Sequence, residues 1–454
     1  MSRAEHTDLP KHGHNDTSKQ RCVLIYNPIS GHGHLDSWNA LFIAFLLEGG
    51  WRVISLSPAA DDLRARLIQK SLDNHPNLHI ADWGNPQRTL LERIRARTKR
   101  IVKSLEQKWS SLGTQHALTI EPADPLRQTS KNDPEAGYLL PTEFAQRVRT
   151  AVRKAPWRPR IVFNMYMDLY RTDVASWQLF NAVHRLPWAG IRFVPSLIDS
   201  KVMHRQPSQS IAKEAYYEIE TLRGMCFLDE SLCANYEQHL PSKIFGYLPD
   251  ITETALPEQT NALVDSLKRR ANGRTVVFMG GTIGSNKNLA RWSQLIELAN
   301  PAKWFFVQIG EVHENNLTPE DAIAYKKMQT MPPENFLMKA EYLTDERTFN
   351  EIIRASDIVF AVYRNFAISS NMPGKAAAFN KPILVANGYL MGRRVEQYQI
   401  GSSVAEDRPE EMLEQLTKLV QHPPADEAFA AYRHAFSHQA LCEQFFNFLH
   451  KVSA

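Results

Sequence analysis

Cysteine is scarce in this 454-residue chain, which holds only Cys22, Cys226, Cys233 and Cys442. No pair stands at CxxC spacing and no histidine cluster accompanies them, so neither a disulfide framework nor a zinc site is encoded. Long apolar runs are lacking too: the longest, Ala40–Leu47 (ALFIAFLL), is far short of a bilayer span. Residues 1–20 contain no apolar segment and read as a polar tail rather than a signal peptide, with His6, His12 and His14 as solvated tail residues. Neither sign of charge dominates, with 53 Lys and Arg against 49 Asp and Glu. That balance, and the absence of a basic strand interleaved with aromatics, argues against nucleic acid as a partner. What is present is ordinary: 43% hydrophobic, 22% charged and 10% aromatic residues, which excludes collagen-like and disordered classes. The length allows two or three domains with ample core. A reducing compartment fits best, either the cytoplasm or the inner face of a membrane.

Charge is unevenly placed within that balance. Between Arg88 and Lys108 stand eight basic and two acidic residues, and between Arg147 and Arg160 six basic residues and no acid. Leu91, Ile94, Ile101, Leu105 and Trp109 recur at helical spacing through the first segment. A basic amphipathic helix over 88–109 has two readings: a dock for an anionic membrane or acidic substrate, or a surface helix packed on its own domain.

The order of apolar runs and glycine turns is that of an α/β protein. Cys22–Tyr26 reads as a buried strand, followed by a loop (Ser30–His34), a helix (Trp38–Leu47) and a strand (Trp51–Ser57). Residues 115–140 are polar and proline-rich, as in an insertion. Further strands are expected at Arg160–Tyr166, Gly190–Ser196, Met225–Asp229 and Lys243–Leu248. After a polar linker at 256–274 the pattern restarts with strands Thr275–Gly280, Lys303–Gly310, Asn335–Ala340, Asp357–Tyr363 and Lys381–Asn387. Helices are expected near Asn288–Leu298, at Asp345–Ala355 and at Gly374–Phe379. The expected organisation is a tail (1–20), a first Rossmann-like domain (21–255), a linker (256–274), a second such domain (275–425) and a closing helical segment (426–454).

Two segments carry chemistry. GGTIGSNKN (Gly280–Asn288) joins a strand to a helix. Glycines at Gly280, Gly281 and Gly284 let backbone amides approach a phosphate, and Lys287 can neutralise a diphosphate. The loop is neither a Walker A motif nor GxGxxG, and a tight turn alone would also require glycine. The second segment, Tyr363–Gly388, offers Ser369, Ser370 and Asn371 to sugar hydroxyls and the backbone of Gly374 and Lys375 to a phosphate. A plain loop-to-helix transition accounts for the same residues equally well.

In order, the second half supplies VVFMGG, Lys287, FFVQIGE, NFLMKAEYL, RASDIVFAVY and GKAAAFNKPILVA. That order resembles the C-terminal domain of GT-B glycosyltransferases, above all the large group-1 retaining family. Leu222–Thr252 and Gly31–Val53 are similar to the corresponding N-terminal runs, so the resemblance spans roughly residues 21–425. It implies two Rossmann-like, doubly wound parallel-sheet domains facing a cleft, with the last helix (Glu427–Lys451) packing back on the first domain. The implied activity is transfer of a hexosyl or related group in polysaccharide biosynthesis or a similar process. The donor is a nucleotide sugar and the acceptor a glycan, lipid-linked saccharide or small molecule. No cofactor or metal is implied. The resemblance implies donor binding by Gly280, Gly281, Thr282, Lys287, Glu311, Arg364, Ser369, Ser370, Asn371 and Gly374.

One departure stands out. Where the family carries a pair of glutamates eight positions apart, this chain has Ala367 and Lys375, so retaining chemistry does not transfer. For catalysis the candidates are His34, placed like the base of inverting enzymes, Asp199 after the strand Gly190–Ser196, and Lys375 toward the diphosphate. Asp168 follows the strand Arg160–Tyr166 in the same manner; all the loop aspartates also suit turns or helix caps. Two rivals stay open: a nucleotide-sugar epimerase of this fold, and a non-catalytic nucleotide-sugar-binding subunit, which the missing glutamates make possible.

Overall fold

The computed structural model describes residues 21–30, 35–83, 138–197, 213–343 and 345–454. These fall into two compact units, one of residues 1–190 with 218–222 and 453, the other of 191–217 with 223–452 and 454. The tail at 1–20, the basic segment at 88–109 and most of the 115–140 insertion lie outside the described residues.

Two parallel sheets organise the chain. The first has seven strands: β1 (Cys22–Tyr26), β2 (Arg52–Leu56), β3 (Leu78–Ala81), β4 (Ile161–Asn164), β5 (Trp188–Ile191), β6 (Leu222–Phe227) and β7 (Ile244–Tyr247). Their order is β3-β2-β1-β4-β5-β6-β7. The second has six: β8 (Thr275–Gly280), β9 (Trp304–Ile309), β10 (Phe336–Lys339), β11 (Ile358–Ala361), β12 (Ile383–Ala386) and β13 (Gly401–Val404), ordered β10-β9-β8-β11-β12-β13.

Strands buried on both faces are apolar at nearly every position, and the second sheet shows why, with the buried Gln308 of β9 as an exception. Val276 and Phe278 of β8 join one core with Phe305, Val307 and Ile309 of β9 and Ile383 and Val385 of β12. The alternate residues Val277, Met279, Trp304, Phe306, Leu384 and Ala386 join the core on the opposite face. Helix Ala262–Ala271 adds Val264 and Leu267 to the first core, while helix Leu289–Leu298 adds Trp292 and Leu295 to the second. From β8 the chain moves outward to β9 and β10, then returns to β11 on the other side of β8. The carboxyl ends of β8 and β11 are therefore a topological switch point, where such sheets leave a crevice for ligands.

Of the expected elements that shift, two show the cause most directly. The strand expected at Gly190–Ser196 lies at Trp188–Ile191, because Trp188 starts the ladder while stacked on Trp177, ring centroids 5.6 Å apart. The closing segment is two helices, Asp426–Ala435 and His438–Ser453. Phe436 leaves helical geometry there, and the Ser437 hydroxyl accepts the Ala440 amide at 3.1 Å to start a new helix. Phe448 and Val452 of that last helix lie against Gly246 of β7 and Gly224 of β6.

Candidate functional site

The glycine loop is tied to the end of β9. The Gly281 amide donates to the Ile309 carbonyl at 3.1 Å, and the Ile283 amide to the Glu311 carbonyl at 2.8 Å. Gly281 and Gly310 both hold positive φ, +90° and +148°, and a Cβ on Gly310 would overlap the Gly281 carbonyl. These bonds leave the Thr282 amide without a partner among the described residues. Thr282 lines a cavity of about 240 Å³ together with the ends of β8 and β9, the segment after β10 and the Ser370–Lys375 stretch.

Lys287 closes one side of this cavity. Its Nζ donates to the Gly280 carbonyl at 3.0 Å and to the Tyr363 hydroxyl at 2.6 Å, and lies 3.9 Å from the centre of the Tyr363 ring. An ammonium has three protons, so one remains for the cavity. Burial without a carboxylate partner pushes the Lys287 pKa down to about 7. Burial also raises that of the Tyr363 hydroxyl, with Ser370 pulling it part of the way back.

Lys375 is arranged differently. Its Nζ donates to Glu346 Oε1 at 2.5 Å, Asn350 Oδ1 at 2.6 Å and the Glu253 carbonyl at 3.3 Å. Asn350, itself buried, is pinned through Nδ2 to the carbonyls of Glu253 and Ala255. All three Lys375 protons are thus occupied within the protein. Burial lowers the Lys375 pKa, and Glu346 acts against that shift.

Helix Glu346–Ala355, which carries Glu346, Phe349 and Asn350, begins at an Asp345 cap whose carboxylate accepts the Arg347 and Thr348 amides, both at 3.1 Å. The Thr348 hydroxyl, chief among these donors, lowers the Asp345 pKa. Asp345→Ala is expected to cost about 1 kcal/mol, read by urea unfolding. The loss should be absent at a pH low enough to protonate the cap. A depressed carboxylate pKa contributes stability above the unfolded value and loses it as pH falls through the folded one.

Of the residues the sequence proposes, Gly280, Gly281, Thr282, Lys287, Ser370, Asn371 and Lys375 line this one cavity. Others are engaged elsewhere. Arg364 binds the buried carboxylate of Asp321, which accepts the Ala290 amide at 3.0 Å and so caps helix Leu289–Leu298. An anion at that helix start would meet a site already filled by Asp321. Ser369 bridges Asp250 at 2.7 Å and Arg394 at 3.1 Å. Glu311 is half-exposed beside His313, and Gly374 makes room for Thr252. Asp168 sits in a short 3-10 turn, Met167–Leu169. His34 and Asp199 lie outside the described residues.

The cavity also has walls the sequence reading missed: Gly310, Tyr342, Leu343, Glu346, Phe349 and Tyr363. Gly310 and Tyr363 stand at strand ends inside the runs already singled out. Glu346 had no signal beyond an acid in the first turn of a capped helix. Among the described residues no group of three or more His, Cys, Asp or Glu is placed to hold a metal, and no helix is long and apolar enough to cross a membrane.

No protein-family model and no curated protein sequence matches the chain. Solved structures do. A glycosyltransferase from Rickettsia africae superposes with a TM-score of 0.54 at 11% identity, covering 95% of this chain and 98% of that one. Sucrose-phosphate synthase from Thermosynechococcus elongatus gives 0.57 at 11%, covering 96% and 99%. Anabaena HepE in complex with UDP gives 0.56 at 11%, covering 94% and 99%. At such identities the likeness speaks to architecture alone. It runs through both flanked parallel sheets from end to end: the chain has the GT-B fold.

Proposed function

We propose that the protein is a glycosyltransferase that holds the nucleoside diphosphate of a nucleotide-sugar donor in the cavity beside Lys287. The observation that carries this reading is the pairing of a buried ammonium, one proton unspent, with the unpartnered Thr282 amide at the switch point of the second sheet. Both are donors fixed in place before any ligand arrives, which is the arrangement that stabilises charge on a departing diphosphate. Asn371 adds an amide side chain with no partner among the described residues. HepE, of the same fold, is solved with UDP, and the Rickettsia africae protein is a glycosyltransferase.

In the proposed reaction an acceptor hydroxyl attacks the anomeric carbon and gives its proton to a base. The bond to the diphosphate breaks, and Lys287 compensates the charge that leaves. His34 and Asp199 are the proposed groups on the acceptor side, a glycan, lipid-linked saccharide or small molecule. The mechanism calls on no metal, because Lys287 and the loop amide supply the positive potential.

The test is thermal melting with UDP, GDP, ADP, dTDP, CMP and their sugar conjugates. The matching ligand at 100 times its Kd is expected to stabilise by about 2.7 kcal/mol, and Lys287→Ala to abolish the shift. No shift with any of them would overturn the reading.

The depressed Lys287 pKa sets a pH signature. Without ligand the unfolded chain holds that proton up to the ordinary lysine range while the folded chain loses it near pH 7. Lys287 therefore weakens the fold most below that pH, and the penalty fades as pH rises. A bound diphosphate restores the charge, so binding takes up a proton on the alkaline side of 7. Affinity is expected to fall toward about tenfold per pH unit there. Calorimetric titration in two buffers of different ionisation heat reads the proton; zero uptake would contradict the role given to Lys287.

A further inference from the structure

The first unit carries an apolar helix face that no described residue covers. Helix Val174–Val183 (VASWQLFNAV) holds no charged residue. Its inner face buries Trp177 and Phe180, while Val174 and Leu179 are 47% and 38% exposed, with Ala175 and Ala182 also in solvent. A surface helix ordinarily turns charged residues outward; this one turns out mostly valine, leucine and alanine. Helix Pro141–Lys154 packs beside it, the Phe144 ring 5.5 Å from that of Phe180. Just before that helix the Leu139 amide donates to the Leu169 carbonyl at 2.7 Å, and the Leu139 carbonyl accepts the Arg171 amide at 3.2 Å. This ladder sets the exposed Tyr138 and Leu140 beside the segment that leads into helix Val174–Val183. Four of the eleven exposed large apolar side chains among the described residues thus lie on one helical layer. Scattered singly they would be ordinary, but grouped they mark an interaction surface.

The same layer is basic. Arg149 and Arg153 stand one turn apart on helix Pro141–Lys154, and Arg158 and Arg160 follow its end. All four are exposed, and none of their guanidinium groups has a partner among the described residues. The one acid of the helix, Glu143, is spent on Arg147 at 2.7 Å. A helix dipole accounts for cations in the last turn, but Arg149 precedes that turn and Arg158 and Arg160 lie beyond it. The second unit treats such residues differently: Arg270 and Arg274, at the end of helix Ala262–Ala271, are spent on the carbonyls of Phe336, Ala271 and Pro301.

An apolar face beside unpaired arginines fits the boundary of an anionic bilayer, where apolar side chains enter the acyl region and cations meet headgroup phosphates. Nucleic acid would offer phosphates to the arginines and nothing to Val174 and Leu179. Both ends of the stretch from Trp83 to Tyr138 also meet this layer. Trp83 lies 4.1 Å under the Arg147 guanidinium, which also bonds its carbonyl at 3.0 Å. That stretch brings eight basic and two acidic residues between Arg88 and Lys108, which repel Arg149 and Arg153 instead of complementing them. Both basic groups call for an anion outside the chain. We propose that the outer face of helices Pro141–Lys154 and Val174–Val183 is a docking surface for an anionic membrane. The proposal is independent of the nucleotide site.

The experiment sediments the full chain with vesicles of phosphatidylcholine alone, or of equal parts phosphatidylcholine and phosphatidylglycerol. The wild type is expected to sediment with the anionic vesicles only, and less so as salt rises. Arg149→Glu combined with Arg153→Glu is expected to weaken binding by about a hundredfold or more, since each unit of charge near an anionic surface is worth about fivefold. Val174→Ser combined with Leu179→Ser is expected to weaken it by about tenfold. All four positions are at the surface, so both variants are expected to fold, checked by their melting curves. Wild-type protein left in the supernatant with anionic vesicles would overturn the proposal, and RNA bound in their place would give the arginines to a nucleic acid. Binding untouched by both variants but abolished by Arg95→Glu, Lys99→Glu and Lys103→Glu would overturn it by moving the dock to that segment. Loss with the arginine pair alone would overturn the part given to the apolar face. A dimer in sedimentation equilibrium that Leu179→Ser takes apart would overturn it by assigning that face to a second copy of the chain. None of these outcomes bears on the nucleotide site, which the melting series tests.

Discussion

Gly310→Ala is expected to cost about 3–5 kcal/mol and to abolish nucleotide binding even under conditions where the variant still folds. Gly310 follows β9 with φ at +148°, a region that side chains other than glycine rarely adopt. Its missing Cβ is also the space taken by the Gly281 carbonyl. Backbone atoms cannot swing aside as a side chain end can, so the glycine loop must move. The loop's bonds to β9, from Gly281 to Ile309 and from Ile283 to Glu311, are then strained together. Thr282, which lines the cavity, lies between those two anchors. Gly50→Ala is the control: φ there is +74° but nothing lies within 4 Å of the added carbon. It is expected to cost only about 1–2 kcal/mol, the backbone penalty alone, and to leave binding intact. Urea unfolding and nucleotide titration of both variants check the pair.

Arg364→Met is expected to destabilise by about 3 kcal/mol without changing nucleotide affinity in the folded protein. Asp321 is fully buried and accepts from the Ala290 amide, the Thr318 hydroxyl at 2.7 Å and the Arg364 guanidinium. Removing the cation leaves a buried carboxylate uncompensated, which costs about 3–5 kcal/mol. The lower end applies because the Arg364 side chain is 21% exposed and water reaches it. Adding Asp321→Asn should recover part of the loss, since an amide oxygen still caps Ala290 and no charge is stranded. A variant of wild-type stability that no longer binds nucleotide would return Arg364 to the donor, where the sequence reading placed it.

These two residues mark what the sequence could and could not tell. β8 was legible to the residue, Thr275–Gly280, because a strand covered on both faces is an unbroken apolar run ending at glycine. Lys287, Ser370, Asn371 and Lys375 were legible as neighbours in one cavity because they follow β8 and β11, which the topology sets side by side. Arg364 was misleading for the opposite reason. Its partner Asp321 lies 43 residues away in helix Pro319–Thr330, and no local pattern reports a pairing of that kind. Glu346 was invisible, since Asp345 and Glu346 together read only as a well-capped helix start. Trp188 was passed over beside Pro187, where local chemistry suggests a break and only the stacking on Trp177 decides otherwise.

The most direct test is a crystal structure of the protein with UDP, or with whichever nucleoside diphosphate stabilises it most. The account predicts the diphosphate within hydrogen-bond distance of Lys287 Nζ and the Thr282 amide, with Arg364 still on Asp321. A nucleotide seated away from Lys287, in a protein that melts higher with that same ligand, would contradict it.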